Sequence, residues 1–533
     1  MLSATILSFL QTFAIGVAAK AIVQGNCTAA DDGLQWLEEN LSPQAVISCK
    51  GEPLQLFNAG RYWGTQFGKN ASVVVFPVSA QDVSYTVQAT QKTSFSQEFA
   101  FASGAHSMIN ASSSDEFVID LIYLNKTEVV HSFDAGNGTR VTAISYQGGA
   151  DWGQVITAVN GSGYIPVSAR ASNVGVGGFS TGGGIGFLAG AYGYAIDRLL
   201  QLEVVLASGE IVIATKYNAY SDLFWALQGG TGQFGIVTTF WQEASPTPPS
   251  STIGYYYINE EDIDTARKNT VDFFDTNTDP FSLMYYFIGF VPPSVTETDP
   301  STFGTRTLIA ALHFNDPLTP SQLTYNETFA KLFSGINTTN HVLYTLPYAN
   351  IFDIADPFFP YGFRRGFYGP QVSSITVDYL ANISSTMSSY ISEIVARGEV
   401  PATAGHVTQY MFPGLNGHLP KTDDATGWPH TIGGHQSLFS PAWTKAEDDG
   451  FMFDTNAFLN QISYDRQEEE GDYIPDYPNY ISPGVTGKRV WGDNVERLIE
   501  VKEKYDPECR IHVGRVFASP GCLERGYANV FAG

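Results

Sequence analysis

Two separate stretches of small residues in the sequence have the composition of loops that bind phosphate. The first is the loop 103–107, with the sequence Ser-Gly-Ala-His-Ser, and the second is the glycine-rich segment 174–193. Backbone amides that no large side chain covers can approach a phosphate group closely. Two such stretches indicate one long, phosphate-containing cofactor that is held at both ends, although glycines can also serve only to permit tight turns.

Two short motifs inside the glycine-rich segment match known patterns but lack the structural context that those patterns need. Residues 178–182 match the Gly-x-Ser-x-Gly elbow of serine hydrolases, with Ser180 as the nucleophile. The elbow requires a strand before the serine and a helix after it, and the flanking glycines favour neither. Residues 184–189 match the dinucleotide pattern Gly-x-Gly-x-x-Ala, but no strand leads into them. A serine hydrolase therefore stays a remote alternative.

No pattern typical of a metal site is present in the sequence. His430 and His435 lack the glutamate-bearing spacing of metalloproteases, and the four cysteines contain no Cys-x-x-Cys pair. We therefore expect no bound metal.

The elements around the loop 103–107 predict a β-α-β unit. A β-branched strand at 72–76 precedes a helix that begins near Ser79, and a second strand at 98–102 runs into the loop. The middle of the chain, by contrast, has aromatic-rich strands such as 282–290 and long helical patterns such as 377–397. An antiparallel sheet covered by helices fits this middle region, and the chain as a whole is predicted to be α+β.

Short motifs occur in a fixed order on both sides of this middle region. They are VFP (75–77) with AQDV (80–83), SGAHS (103–107), VIDL (118–121), GGADWG (148–153), VGVGG (174–178) with TGGGIG (181–186), DLFWAL (222–227), FGIV (234–237), YPNY (477–480) and DP (506–507). In this order they resemble the FAD-linked oxidases of the berberine bridge enzyme group, in the wider vanillyl-alcohol oxidase superfamily. The resemblance is strong over residues 55–245 and 475–510 and holds only in outline between them.

The resemblance implies FAD as the cofactor and a chain built from two parts. A PCMH-type FAD-binding domain, 55–245, would be completed by the C-terminal segment 475–533, with a substrate-binding domain, 246–474, between them. The residues implied to contact the cofactor are Ser103, Gly104, Ala105, His106, Ser107, Val174, Gly177, Gly178, Thr181, Gly183, Ile236 and Asn479.

The resemblance also implies how the flavin is attached. The histidine of the loop bonds covalently to the flavin in this family, which implies a link through His106. Many relatives form a second link through a cysteine placed three residues before the Val-Gly-x-Gly-Gly segment, and here that place is held by Ala171. Attachment is therefore predicted to be single. Two residues depart from the family pattern, since Ala102 stands where an arginine is usual and Ala105 stands where a glycine is usual.

The candidate catalytic residues also follow from the resemblance. The family's Tyr-x-Asn-Tyr motif lines the flavin, so Tyr477 and Tyr480 are candidate bases and Asn479 is expected to be structural. An unperturbed tyrosine has a pKa of about 10, so a neighbour must stabilise its phenolate, and the sequence does not identify that neighbour. Gln409 and Tyr410 lie where the family has its catalytic substrate-domain strand, but the glutamate of that strand is not evident here.

These residues predict an oxidase. A flavin accepts hydride from a C–H bond beside oxygen or nitrogen, while a base takes the accompanying proton. The substrate is thus predicted to be a small-molecule alcohol or amine, and dioxygen is predicted to be reduced to hydrogen peroxide. Val174 holds the position that resembles the family's oxygen gatekeeper, where valine leaves room for dioxygen.

Single attachment leaves space above the flavin for a bulky substrate, which favours a natural product over a sugar terminus. Three alternatives remain open: a carbohydrate oxidase, a cyclase of secondary metabolism that uses the same fold, and a glycoprotein whose flavin site has decayed.

The charge balance argues against two classes of partner. The chain has 53 acidic and 28 basic residues among 533, a formal net charge of −25. A polyanion of this size repels nucleic-acid phosphates and anionic membrane surfaces. We therefore expect neither a nucleic acid nor a membrane as a partner.

Several features predict entry into the secretory pathway. Residues 1–19 form an uncharged, largely apolar stretch that ends in small residues, as a signal peptide does. The four cysteines form two local pairs, Cys27 with Cys49 and Cys509 with Cys522; three connectivities are possible, and loop closure favours this one. We expect a secreted or vacuolar glycoprotein. Its Asn-x-Ser/Thr sequons are Asn26, Asn40, Asn70, Asn110, Asn125, Asn137, Asn160, Asn326, Asn337 and Asn382.

Overall fold

A computed structural model describes residues 20–93, 99–294, 297, 299–319, 322–399, 405–409, 413–471 and 473–527. The predicted signal peptide, 1–19, and the candidate residue Tyr410 lie outside these ranges. Within them the molecule combines three main sheets with helices, which confirms the predicted α+β class.

The first sheet carries the predicted β-α-β unit and has the order β1-β2-β3-β5-β4. Both strands of that unit, β3 and β4, pair in parallel with β5 between them. The connecting helix begins where predicted, because the Ser79 hydroxyl accepts a hydrogen bond from the Asp82 amide at 3.1 Å and caps its first turn. The strands are β1 (Ile22–Gln24), β2 (Val46–Cys49), β3 (Val73–Phe76), β4 (Phe99–Ala102) and β5 (Phe117–Asp120).

The second sheet is antiparallel, with the order β10-β9-β11-β7-β6, and contains a tight hairpin around Gly209. That glycine has a φ of +87°, a left-handed conformation that side-chain-bearing residues rarely adopt. The strands are β6 (Thr127–Asp134), β7 (Arg140–Gln147), β9 (Leu199–Val205), β10 (Ile211–Thr215) and β11 (Ile236–Glu243), and a small neighbouring pair joins β8 (Tyr164–Ile165) to β12 (Ser245–Pro246).

The third sheet comes from the middle of the chain and is the antiparallel sheet that the aromatic-rich strands predict. Its order is β16-β13-β15-β14-β19-β20-β18. The strands are β13 (Ser251–Tyr257), β14 (Ser282–Val291), β15 (Gly304–Phe314), β16 (His341–Leu346), β18 (Gln371–Val372), β19 (Gly405–Gln409) and β20 (His435–Ser440), with β17 (Arg364–Arg365) and β21 (Ala442–Trp443) as a separate pair.

Helices cover one face of the third sheet, as the sequence predicts. Two long helices, α11 and α12, pack on each other and on this sheet, with α8 beside α11. The helices are α1 (Asp32–Asn40), α2 (Pro53–Gly60), α3 (Ala80–Ala89), α4 (Trp152–Val159), α5 (Val176–Thr181), α6 (Ala189–Tyr192), α7 (Ser221–Leu227), α8 (Ile263–Thr276), α9 (Tyr325–Phe329), α10 (Ile351–Ala355), α11 (Val377–Ala396), α12 (Asp449–Glu470), α13 (Gly487–Trp491), α14 (Asn494–Tyr505) and α15 (Pro520–Glu524).

The C-terminal segment packs against elements from the first half of the chain. Helix α14 contacts α7, and the Trp491 indole donates a hydrogen bond to the Gly229 carbonyl at 2.9 Å. The buried Lys502 ammonium donates to the Gln233 carbonyl at 2.7 Å. The exact domain boundaries, 55–245, 246–474 and 475–533, remain a prediction from the sequence.

Both predicted disulfides, Cys27–Cys49 and Cys509–Cys522, are present. Within the described ranges, no helix is long and apolar enough to span a bilayer.

Candidate active site

The two stretches of small residues singled out in the sequence touch each other in the structure. A Cβ atom on Gly104 would lie 2.1 Å from the Gly175 amide nitrogen, and a Cβ on Gly175 would lie 2.0 Å from that of Gly104. The Gly177 amide donates a hydrogen bond to the Ser103 hydroxyl at 3.1 Å. Glycine is therefore required at both positions, because the two backbones approach more closely than any side chain allows.

This close contact gives a sharp test of the two-loop arrangement. We expect Gly104→Ala to destabilise the protein by about 3 kcal/mol or more and to reduce its FAD content, since one of the two backbones must move. Denaturant unfolding and the flavin-to-protein ratio measure both effects. Gly450→Ala is the matched control, because Gly450 is not among the residues that line the cavity and a Cβ there meets no atom of the described residues within 4 Å. Equal stability of the two variants would contradict the arrangement.

A cavity of about 1000 Å³ lies beside the two loops and is large enough for a dinucleotide. Most of the predicted cofactor residues line it: Ser103, Gly104, Ala105, His106, Ser107, Val174, Gly177, Gly178, Thr181 and Asn479. Two predicted residues are not on its wall. Ile236 is buried in the core while its neighbours Gly235 and Val237 face the cavity, and Gly183 lies beneath the ring of Tyr477.

His106 is enclosed at the cavity wall by aromatic residues. Its ring stacks on Trp63, with 4.9 Å between ring centroids and 13° between planes, and Tyr361 lies edge-on at 6.2 Å. Burial, with the charges of Arg365 and Arg61, lowers the pKa of His106 to about 3, so its imidazole is neutral at ordinary pH. The buried Nε2 atom has no hydrogen-bond partner among the residues that the structure describes. A neutral, fixed imidazole on the cavity wall suits covalent attachment of a flavin.

The residue before His106 shows why the family pattern has glycine there. Ala105 has a φ of +55°, in the left-handed region that glycine enters without a Cβ penalty. The loop thus keeps the conformation that a glycine would favour, at some cost in backbone strain.

Tyr477 supports the glycine-rich segment. Its hydroxyl oxygen accepts hydrogen bonds from the amides of Gly184 at 2.8 Å and Ile185 at 3.1 Å, and from the Asn479 side chain at 3.1 Å. Burial raises the pKa of Tyr477, and three donors already occupy its oxygen. This geometry favours a positioning role for Tyr477 and leaves Tyr480 as the better candidate for the base.

Tyr480 has the cationic neighbour that the sequence did not reveal. The Arg170 guanidinium donates a short hydrogen bond to the Tyr480 hydroxyl and another, at 3.3 Å, to the Tyr285 hydroxyl. Burial alone would lower the pKa of Arg170, but the oxygens of Tyr480 and Tyr285 raise it overall, so the guanidinium stays charged. All three residues line the cavity. Arg170 can therefore stabilise negative charge on the Tyr480 oxygen.

Much of the remaining cavity wall is apolar and comes from the third sheet and from the segments that connect its strands. Aromatic side chains dominate this wall: Tyr255, Tyr257, Tyr285, Phe287, Phe290, Phe303, Tyr344, Phe358, Phe359 and Phe367. Among the described residues that line the cavity, the only carboxylate is that of Asp353. The backbone of Gln409 pairs with that of Tyr285, which places β19 next to the strand that carries Tyr285.

The motifs set aside in the sequence have structural roles. The Ser180 hydroxyl is buried, lies 3.1 Å from the Tyr146 hydroxyl, and belongs to a helix that ends one residue later. His430 pairs with Asp197 at 2.9 Å. Among the described residues, no group of three or more His, Cys, Asp or Glu side chains could hold a metal ion.

Comparison with known proteins identifies an FAD binding domain in this chain. The model of the FAD binding domain matches residues 71–215, and the model named berberine and berberine like matches residues 476–509. An FAD-dependent monooxygenase of Emericella nidulans, sdcF, is 26% identical over 83% of this chain and 89% of its own length. An FAD-linked oxidoreductase of Aspergillus terreus, tazG, is 26% identical over 93% of this chain and 97% of its own length.

Solved structures share the fold. A chitooligosaccharide oxidase superposes with a TM-score of 0.66 at 18% identity and covers 89% of this chain and 96% of its own. A berberine bridge enzyme variant described as a reticuline dehydrogenase superposes with a TM-score of 0.70 at 18% identity, over 92% of this chain and 99% of its own. The chain is therefore an FAD-dependent oxidoreductase. It contains an FAD binding domain and a berberine-like segment, which confirms the resemblance seen in the sequence.

Proposed function

We propose that this protein is a secreted oxidase that removes hydride from a small-molecule alcohol or amine and passes the electrons to dioxygen. The observation that carries this proposal is the contact between Arg170 and Tyr480 in a cavity that His106 also lines. The flavin supplies the hydride acceptor. The protein supplies the base: Arg170 stabilises the negative charge of a Tyr480 phenolate, and that phenolate can take the substrate's hydroxyl or amine proton and become neutral.

The cavity wall favours an aromatic or otherwise apolar substrate of the natural-product type. A sugar needs hydrogen-bonding partners for several hydroxyl groups, whereas the cavity wall outside the two loops is mainly aromatic. Aromatic rings instead stack well on such surfaces. A carbohydrate oxidase is the second candidate, since chitooligosaccharide oxidase shares the fold.

One screen tests this proposal against the alternatives. Purified protein is assayed for hydrogen peroxide with aromatic alcohols, polyketide alcohols and amines in one set, and with oligosaccharides in another. Peroxide with the first set alone supports the proposal, and peroxide with oligosaccharides alone favours the carbohydrate oxidase. Conversion of a substrate to an isomer without peroxide would identify a cyclase. A protein without bound flavin would favour the decayed-site alternative.

We propose Val174 as the residue that leaves room for dioxygen at the flavin. It is half-buried on the cavity wall, next to Gly175 of the two-loop contact. Val174→Leu should slow reoxidation of the reduced enzyme severalfold and leave reduction by substrate unchanged, because the added methylene fills space near the loops. Stopped-flow mixing with aerated buffer measures this rate. Val174→Ala is the control, and a Leu variant that reoxidises as fast as the Ala variant would contradict the role.

We also propose that the protein is exported and N-glycosylated. All ten sequon asparagines are exposed, which is the condition for carrying a glycan on a folded surface. The two disulfides are typical of an oxidising compartment.

Glycosylation has a direct measurement. Peptide-N-glycosidase should lower the mass of the secreted protein, and Asn137→Gln, in the exposed turn between β6 and β7, should remove one glycan. Asn416→Gln is the control, because that exposed asparagine is not in a sequon. A secreted protein whose mass the enzyme does not change would refute the proposal.

A further inference from the structure

We propose that two arginines from distant parts of the chain, the half-buried Arg61 and the buried Arg365, are positioning residues that prepare His106 for covalent attachment of FAD. This inference rests on the proposed link through His106 and adds the residues that would make that link form.

Arg365 and His106 both pack against the ring of Trp63. The guanidinium carbon of Arg365 lies 4.6 Å from the Trp63 ring centroid, and Trp63 in turn stacks on His106. Arg365 is fully buried, although it comes from the middle region of the chain. A buried guanidinium on an aromatic face is a favourable cation–π contact that fixes both groups.

The backbone around Arg365 is fastened to the segment that carries Trp63. The Gln66 side chain donates to the Arg365 carbonyl at 2.6 Å and accepts from the Arg365 amide at 3.0 Å. The Thr65 amide also donates to the Phe363 carbonyl at 3.0 Å. These backbone hydrogen bonds hold Arg365, and therefore its positive charge, in a fixed position beside the attachment site.

Arg61 fixes the other side of the loop. It forms an ion pair with the fully buried Asp120 at 2.9 Å and donates a short hydrogen bond to the Ser103 carbonyl. Asp120 is itself held by the Asn58 side chain at 2.8 Å. Ala102, the residue before Ser103, stands where an arginine is usual in the family, and it carries no charge. Arg61, which follows helix α2, supplies a positive charge to the loop instead.

Together these residues define the electrostatic surroundings of His106. Besides burial, the positive charges of both arginines lower the pKa of His106. The negative charge of Asp120 partly offsets that of Arg61, with which it forms an ion pair. Tyr361, which is also titratable, lies edge-on to the imidazole ring. Both cations disfavour a protonated imidazole, as burial does. Only a neutral imidazole has the lone pair that attachment needs.

The chemistry of attachment balances with dioxygen as the oxidant. A bond forms between an imidazole nitrogen and the carbon of the flavin 8-methyl group. One hydrogen leaves that methyl group and one leaves the imidazole. Dioxygen takes up both hydrogens with two electrons and becomes hydrogen peroxide.

The test follows the rate of attachment against pH. Apoprotein from a riboflavin-deficient host is incubated with FAD, and the flavin that stays with the acid-precipitated protein is measured over time. For the wild type we expect a rate that is constant down to pH 4, because the pKa of His106 is about 3. Each of Arg61→Gln and Arg365→Gln should move the acid midpoint up by about one pH unit, a tenfold change in proton concentration, and the double variant by about two.

Matched variants separate charge from structure. Arg61→Lys and Arg365→Lys keep the charge and should keep the wild-type midpoint. Arg364→Gln removes the neighbouring cation, which pairs with Asp449, and should change nothing. A double Gln variant with an unmoved midpoint would overturn the inference. If the Gln variants do not fold, the wild type and the Lys variants decide. A wild-type attachment rate already halved at pH 6 would overturn the inference. An attachment rate that does not change down to pH 4, with the same acid midpoint in the Lys variants, would support it.

The proposed link and this inference fail in different ways. A wild type that never retains flavin after acid treatment refutes the covalent link itself. A wild type that retains flavin with the same pH profile as the double Gln variant refutes only the role of the two arginines.

Discussion

We expect Tyr480→Phe to lower the rate of flavin reduction by substrate by a hundredfold or more, since general bases contribute about 10²- to 10⁴-fold. The substitution removes one oxygen atom, the atom to which Arg170 donates. It keeps the ring that packs against Phe367, with 4.9 Å between centroids, so the fold should be unaffected. Anaerobic stopped-flow reduction at saturating substrate measures the effect without interference from reoxidation.

Tyr285→Phe is the matched control for this prediction. It also removes a hydroxyl that accepts a hydrogen bond from Arg170, at 3.3 Å, and it also lies on the cavity wall. We expect a loss of about tenfold, because one hydrogen bond to a charged group contributes about 1.5 kcal/mol. Equal losses in both variants would show that Tyr480 only anchors Arg170 and is not the base.

We expect His106→Ala to leave all of the flavin extractable by acid and to lower turnover strongly. The alanine has no nucleophile, and no cysteine stands near the glycine-rich segment to form a second link, since Cys49 and Cys509 are the nearest cysteines along the chain. Non-covalent FAD should still bind, because the glycine loops remain. Acid precipitation followed by measurement of flavin in the supernatant gives the result directly.

The control for this variant is a histidine away from the cavity. His131 is exposed on β6, and His131→Ala should keep the flavin attached. Flavin that stays with the His106→Ala protein after acid treatment would contradict attachment through His106. Flavin released from the wild type would contradict it as well.

Local sequence patterns predict the parts of the site whose residue types have few possible structural roles. A glycine is needed where two backbones touch, and the sequence therefore located the loops that meet at Gly104 and Gly175. The β-α-β unit and the antiparallel sheet followed from strand and helix periodicity in the same way. The candidate Tyr480 followed from the resemblance, because its motif stands out from an otherwise undistinguished stretch.

The partners of these residues could not be predicted, because they come from distant points in the chain. Arg170 and Tyr480 are 310 residues apart. One signal was available, since Arg170 is the only charged residue between Asp151 and Asp197. Arg365 and Trp63 carried no comparable signal, because only the packing of the middle region on the first brings the guanidinium and the indole together.

The central claim is that substrate electrons pass through the flavin to dioxygen. The most direct measurement mixes the enzyme anaerobically with the best aromatic alcohol or amine from the screen and then admits air. Our account predicts that the visible flavin absorbance is lost on mixing, returns with air, and yields one hydrogen peroxide for each substrate molecule oxidised. A flavin that keeps its oxidised spectrum while the substrate becomes an isomer, with no peroxide formed, would contradict it.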